Sequence, residues 1–185
     1  MATTAAIGTI RVPESLLATI TRALAADRSP REAAVLLRQI GFDAGSSFFE
    51  IFTNWLDEQE TGVSIHSLPA PRFWRLFSDF WNSLGWGTLE HRQLHAGVAV
   101  LESTGWVEAE PGRDGSGTGC HLTTGLLADL LRRVAGEDVA VMEVGYEVPG
   151  SDRCRFLIGG PETLMALHRE VEQGYSIDDA LTRLG

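Results

Sequence analysis

Four residues of this chain combine types and spacings that suit metal chemistry: Cys120, Glu143, Tyr146 and Cys154, separated by 23, 3 and 8 positions. Thiolates and a carboxylate are ordinary zinc ligands. Tyrosine is a poor replacement for a thiolate, because its phenol keeps its proton to about pH 10. Glu143 and Tyr146 are also an odd number of residues apart. On a regular strand they face opposite ways, unless a bulge or the strand's end relaxes the alternation. The competing reading is plainer: cysteine is often buried as a small apolar side chain. Composition alone favours two buried free cysteines over a metal pair. His121, beside Cys120, fits a polar cap or a supporting role better than acid–base catalysis.

Other chemistries find less support. His91 and His95 have the i, i+4 spacing of a helical metal pair. The run His91-Arg92-Gln93-Leu94-His95 nevertheless lacks the glutamate of the zinc-protease motif and falls where a strand and turn are expected. His66 and His168 read as loop and helix-surface residues. No Gly-x-Ser-x-Gly elbow occurs. The run from Gly112 to Gly117 is rich in glycine but has no strand–GxGxxG–helix context for a dinucleotide. Glu102, Glu108 and Glu110 read as exposed strand positions without a partner acid. Arg132 and Arg133 read as a solvated helix face, and Arg153 and Arg155 as partners of nearby acids. All 15 basic residues are arginine. Lysine Schiff-base chemistry and a phosphate-loop lysine are therefore excluded.

The elements that must position these residues follow from periodicity. A helix is expected over 12–27, with Leu16, Leu17, Ile20 and Leu24 recurring at helical spacing. Ser29-Pro30-Arg31-Glu32 is a capping box with proline at the first helical position. The helix it opens runs to about Gln59, and Gly41 and Gly45 predict a break or bend. Pro71 to Leu84 is a third helix. Short extended segments are expected at Gly87–His91, Gly97–Ser103 and Trp106–Glu108, then a loop over 111–117. A helix from Cys120 to Val134, ended by Gly136, precedes two strands, Val139–Val148 and Arg153–Ile158, joined as a hairpin. A helix over 161–171 and a Ser176/Asp179 cap complete the pattern.

The second and third helices hold seven of the eight phenylalanines and three of the five tryptophans. Such a concentration packs a core or a dimer face, or it lines an apolar cavity for a flat guest. Phe48, Phe52, Trp55, Phe77 and Trp81 are the candidate lining residues. The 185 residues suit one domain with its own core. No apolar run is long enough to span a bilayer, and the first residues lack the basic start and apolar stretch of a signal peptide. A cytoplasmic protein is expected. The net charge of −10 opposes non-specific binding to nucleic acid or anionic membrane.

From about Phe80 to Leu184 the chain resembles the 4-vinyl reductase domain family. The resemblance is carried by Gly119-Cys120-His121-Leu122-Thr123-Thr124-Gly125-Leu126-Leu127-Ala128, by Val139-Ala140-Val141-Met142-Glu143-Val144, and by Cys154-Arg155-Phe156-Leu157-Ile158-Gly159. Gly41-Phe42-Asp43-Ala44-Gly45 resembles the helices of the family's extended form. The resemblance implies an α+β fold: a helical part over about 12–84 packed on an α+β core with a small antiparallel sheet over about 85–185. That fold is related to vesicle-tethering complex subunits and to the sensor domains of aromatic-responsive activators. In those activators zinc is held by Cys, Glu, Cys and Cys. The matching positions here are Cys120, Glu143, Tyr146 and Cys154, so a tyrosine stands at the third ligand position.

Three functions follow as expectations. The first is a protein that binds or senses a small apolar or aromatic molecule and signals by conformational change to a separate protein. The second is an accessory protein or enzyme of (bacterio)chlorophyll 4-vinyl reduction, although no nicotinamide or flavin fingerprint is present. The third is a scaffold whose aromatic surface makes a dimer. A homodimer is compatible with all three.

Overall fold

The computed structural model describes residues 9–10, 12–59, 62–109, 119–145 and 153–184. Helix α1 spans Glu14–Ala25 and α2 spans Pro30–Gln59. The capping box forms as read. Ser29 N donates to Glu32 Oε2 at 2.9 Å and Glu32 N donates to Ser29 Oγ at 3.3 Å. Hydrogen bonds from the Ser29 side chain and backbone hold the Glu32 carboxyl below its usual pKa.

A short 3-10 turn, Ile65–Ser67, leads to α3, Ala70–Ser83. Strands β1 (Thr88–His95) and β2 (Val98–Thr104) form a hairpin. Helix α4 spans His121–Ala135 and ends at Gly136, whose φ of 74° is left-handed. Strands β3 (Ala140–Val144) and β4 (Arg155–Gly159) follow, then α5 (Pro161–Glu172) and α6 (Ile177–Leu184). At the start of α6, Asp179 N donates to Ser176 Oγ at 3.1 Å, as the cap predicts.

The four strands form one antiparallel sheet in the order β1-β2-β4-β3. Its register puts Leu101, Phe156 and Glu143 in one row, and Val100, Leu157 and Met142 in the next. Alternation then sorts the rows to opposite faces. The first face packs into the larger core with α2, α3 and α4; the second packs beneath α5 and α6 through Leu164, Leu167, Ala180 and Leu181. This is the expected α+β architecture.

Three sequence expectations are corrected. Gly41 and Gly45 do not divide α2 into two helices; it is one helix of 30 residues. They mark where α4 crosses it: a Cβ on Gly41 would be driven into the Leu122 carbonyl, and one on Gly125 into the Arg38 carbonyl. A Cβ on Gly45 would sit 2.5 Å from Asp129 Cβ. The glycines therefore serve close helix contact rather than flexibility.

The segment Trp106–Glu108 is a turn rather than a strand. Val107 N donates to Trp86 O, and Ala109 N donates to Trp106 O. The turn points the Glu108 carboxylate at α4. Finally, Arg132 and Arg133 are not merely solvated. Both pair with Asp129, at 2.5 and 2.6 Å, and Asp129 is almost fully buried. Burial alone would raise the Asp129 pKa, but hydrogen bonds and charge from Arg133 and Arg132 prevail and lower it.

Candidate functional site

The start of α4 is the convergence point of the fold. The leading amides of a helix have no partners inside it and carry partial positive charge. Here two carboxylates meet them. Glu143, reaching from β3, accepts from Gly119 N at 2.8 Å and Cys120 N at 2.9 Å. Glu108 accepts from Leu122 N at 2.9 Å, Thr123 N at 2.8 Å and Thr123 Oγ1 at 2.7 Å. Trp106 Nε1 donates to Thr123 Oγ1 at 2.9 Å, which links the turn, the helix and the aromatic core. His121 Nδ1 lies 3.6 Å from Glu143 Oε2.

Cys154 arrives from the other side. It continues β4, and Ser103 of β2 fixes it by three bonds: Ser103 N to Cys154 O at 2.9 Å, Ser103 Oγ to the same oxygen at 3.1 Å, and Cys154 N to Ser103 Oγ at 2.6 Å. Cys120 occupies the N-cap of α4. The structure joins the two cysteines as a disulfide, with Cα atoms 6.6 Å apart. The expectation of two free buried cysteines is thus corrected. Both are buried, because the helix start and the strand start are each tied to the same sheet. Ligand atoms of Cys120, Glu143 and Cys154 lie within 4.8 Å of one another. Reduced, this donor set of two sulfurs and one carboxylate oxygen fits three positions of a tetrahedral zinc. Tyr146, at the third of the four sequence positions, lies outside the described residues, as do Glu110 and the glycine-rich loop.

The five candidate aromatic residues come together above the same region. Phe52, Phe77 and Trp81 have no exposed surface. Phe48 and Trp55 are half-buried and pack against them. Phe52 touches Trp55, Phe73, Phe77 and Phe80, with centroid separations of 4.9 to 6.3 Å. Trp81 stacks on Phe48 at 5.5 Å and meets Trp86 and Trp106 at 5.2 and 5.7 Å. These are favourable aromatic geometries. Among the described residues, however, no acceptor reaches Trp81 Nε1, although that nitrogen is buried. A buried indole N–H normally finds a partner.

Sequence reasoning missed Glu108, which is buried rather than on an exposed strand. No local signal marks it, because the helix it caps begins 13 residues later, at His121. It also missed Trp86 and Trp106, whose rings complete the cluster around Trp81. The histidine pair divides as expected for structural residues: His91 stacks on Trp74 at 4.1 Å, and burial lowers its pKa. Glu102 is not isolated, since Arg92 and Arg155 lie 3.3 and 3.2 Å from it.

No protein-family model matches the chain, and no curated protein does. Solved structures with the same fold do exist. One is the phenol-responsive sensory domain of the transcription activator PoxR with phenol, at 16% identity and TM-score 0.62, covering 83% of this chain and 77% of that one. Another is a trafficking protein particle complex subunit 3 from Naegleria fowleri covalently bound to palmitic acid, at 10% identity and TM-score 0.53, covering 79% and 93%. At these identities the likeness is one of fold. It joins this chain to the architecture shared by sensory domains and tethering-complex subunits. No helix among the described residues is long and apolar enough to cross a membrane.

Proposed function

We propose that this chain is a cytoplasmic sensing domain of the 4-vinyl reductase family, which binds a flat aromatic molecule among Phe48, Phe52, Trp55, Phe77 and Trp81. The observation that carries the reading is the buried Trp81 indole N–H, unsatisfied inside a cluster of rings. An aromatic guest with one acceptor oxygen would stack on the rings and accept that hydrogen bond. The fold shared with a phenol-responsive domain supports the same class of guest.

The rings now fill the space with one another. A guest therefore displaces some of them, with half-buried Phe48 and Trp55 on the path inward. Ligand binding and rearrangement of α2 against α3 are then one event, and the shift is the signal. Output passes to a separate protein, with a homodimer as the unit that carries it.

We further propose that Cys120, Glu143 and Cys154 hold zinc when the cysteines are reduced. The metal would tie the start of α4 to β3 and β4, a structural rather than reactive role. Native mass spectrometry of the reduced protein, intact and denatured, tests both parts. The expected result is one zinc per chain and a non-covalent organic guest or its uptake on addition of a phenol. A bound tetrapyrrole would instead place the protein in pigment metabolism. A stable dimer that takes neither zinc nor phenol would contradict the proposal and favour a scaffold.

A further inference from the structure

We infer that the outer edge of β3 is a docking site for an extended peptide from another protein, apolar at alternate positions and bearing an acidic residue. The edge is the starting point. Among the described residues β3 is the last strand of the sheet and pairs only with β4. Ser103 N donates to Cys154 O, so the Cys154 backbone faces β2. Antiparallel strands direct successive residues to alternate sides. Arg155, Leu157 and Gly159 therefore face β3, where Val144, Met142 and Ala140 oppose them. Val141 lies between, with its N–H and C=O directed away from the sheet. Neither group has a backbone partner outside the sheet among the described residues.

Exposed edges are normally blunted by charge, proline, a bulge or a cover. The β3 sequence Ala140-Val141-Met142-Glu143-Val144 has one charge, and Glu143 is turned to the start of α4. The opposite edge shows what a covered one looks like. On β1 the outward Leu89 N donates to Ser78 Oγ of α3 at 3.0 Å.

A groove of about 630 Å³ runs along β3 from Ala140 to Gly145. Arg38 and Thr124 stand on one side, from α2 and α4, and Leu164, Met165 and Val171 of α5 on the other. Met165, an apolar side chain, is half exposed there. Helices thus flank the edge on both faces of the sheet. A single extended strand fits between them, whereas the sheet edge of a second copy carries its own flanking helices. Strand addition supplies affinity through backbone bonds, and pockets for alternate side chains supply selectivity. Arg38 is exposed and forms no ion pair among the described residues. A carboxylate on the incoming strand is its complement.

The probe is a phage-displayed library of random dodecamers, panned against the full chain. Selected peptides are then titrated by fluorescence anisotropy against wild type, Val141→Pro and Arg38→Glu. Val141→Pro removes the outward N–H and leaves the β3–β4 ladder intact. Arg38→Glu changes only an exposed side chain and serves if the proline variant fails to fold. The expected outcome is enrichment of alternating apolar sequences with an acidic residue. Each variant then binds about three- to tenfold more weakly, and hydrogen exchange at Val141 slows when peptide is present. No enrichment, or equal binding by both folded variants, overturns the inference. So does a wild-type dimer that Val141→Pro dissociates, which assigns the edge to a second copy.

Discussion

Asp129 illustrates how a single residue here serves the fold through charge. It is buried against Gly45 at the α2–α4 crossing, yet two arginines keep it ionised. Its pKa is lowered in the folded state, so its stabilising contribution is complete above the unfolded value of about 3.9. That contribution is lost as pH falls through the depressed folded value. Thermal melts of wild type and Asp129→Asn should therefore differ at neutral pH, by about 1–3 kcal/mol for the charged hydrogen bonds. The two curves should converge below pH 4. A gap that persists in acid would mean that packing, not charge, is what the variant loses. The sequence showed Arg132 and Arg133 but hid their role, because Asp129 sits three and four positions before them on the inward face. Only the crossing geometry reveals that this aspartate is buried.

At the scale of elements, local rules were legible and non-local ones were not. The Ser29–Glu32 and Ser176–Asp179 caps and the C-terminal Gly136 rest on short-range chemistry and read correctly, as does the antiparallel pairing of β3 with β4; the expected strand residues 146–148 and the turn at 149–152 lie outside the described residues. Of the two readings of Gly41 and Gly45, the division into two helices fails, because glycine's helix-weakening tendency is a weak prior that tertiary contact overrides. Their use at the crossing predicts that Gly125→Ala is far more harmful than an exposed substitution. The added methyl meets the Arg38 carbonyl, a backbone atom that cannot turn aside. The expected loss is about 1–3 kcal/mol or more, in the range of overpacked cores. Denaturant unfolding compared with Gly97→Ala, which has only ordinary contacts with Thr163, checks this.

Glu108 was invisible for the opposite reason: it caps a helix that begins 13 residues later. Glu108→Gln keeps the shape but removes the charge that faces the start of α4. It should cost about 1–2 kcal/mol by calorimetry. An unchanged melting temperature would show that the amides of α4 need no anion there.

For the molecule as a whole, the sheet divides two cores with different character. The aromatic core, between the sheet and helices α2 to α4, holds the unsatisfied Trp81 nitrogen and the Cys120–Cys154 pair. The aliphatic core beneath α5 and α6 holds neither. The candidate aromatic residues were legible as a concentration of rings at helical spacing. The neighbours Trp86 and Trp106 were not: Trp86 is folded back by a local turn in which its N–H donates to the Trp81 carbonyl, and Trp106 lies on a turn that only the assembled fold brings to Trp81. The central claim is that this aromatic core admits a guest. Isothermal titration of phenol, catechol and indole into the full chain tests it most directly, with Trp81→Phe as the paired variant. The account predicts saturable binding of one phenol per chain, weakened about three- to tenfold when the indole N–H is removed. No saturable heat with any of the three, or binding that Trp81→Phe leaves unchanged, would contradict it.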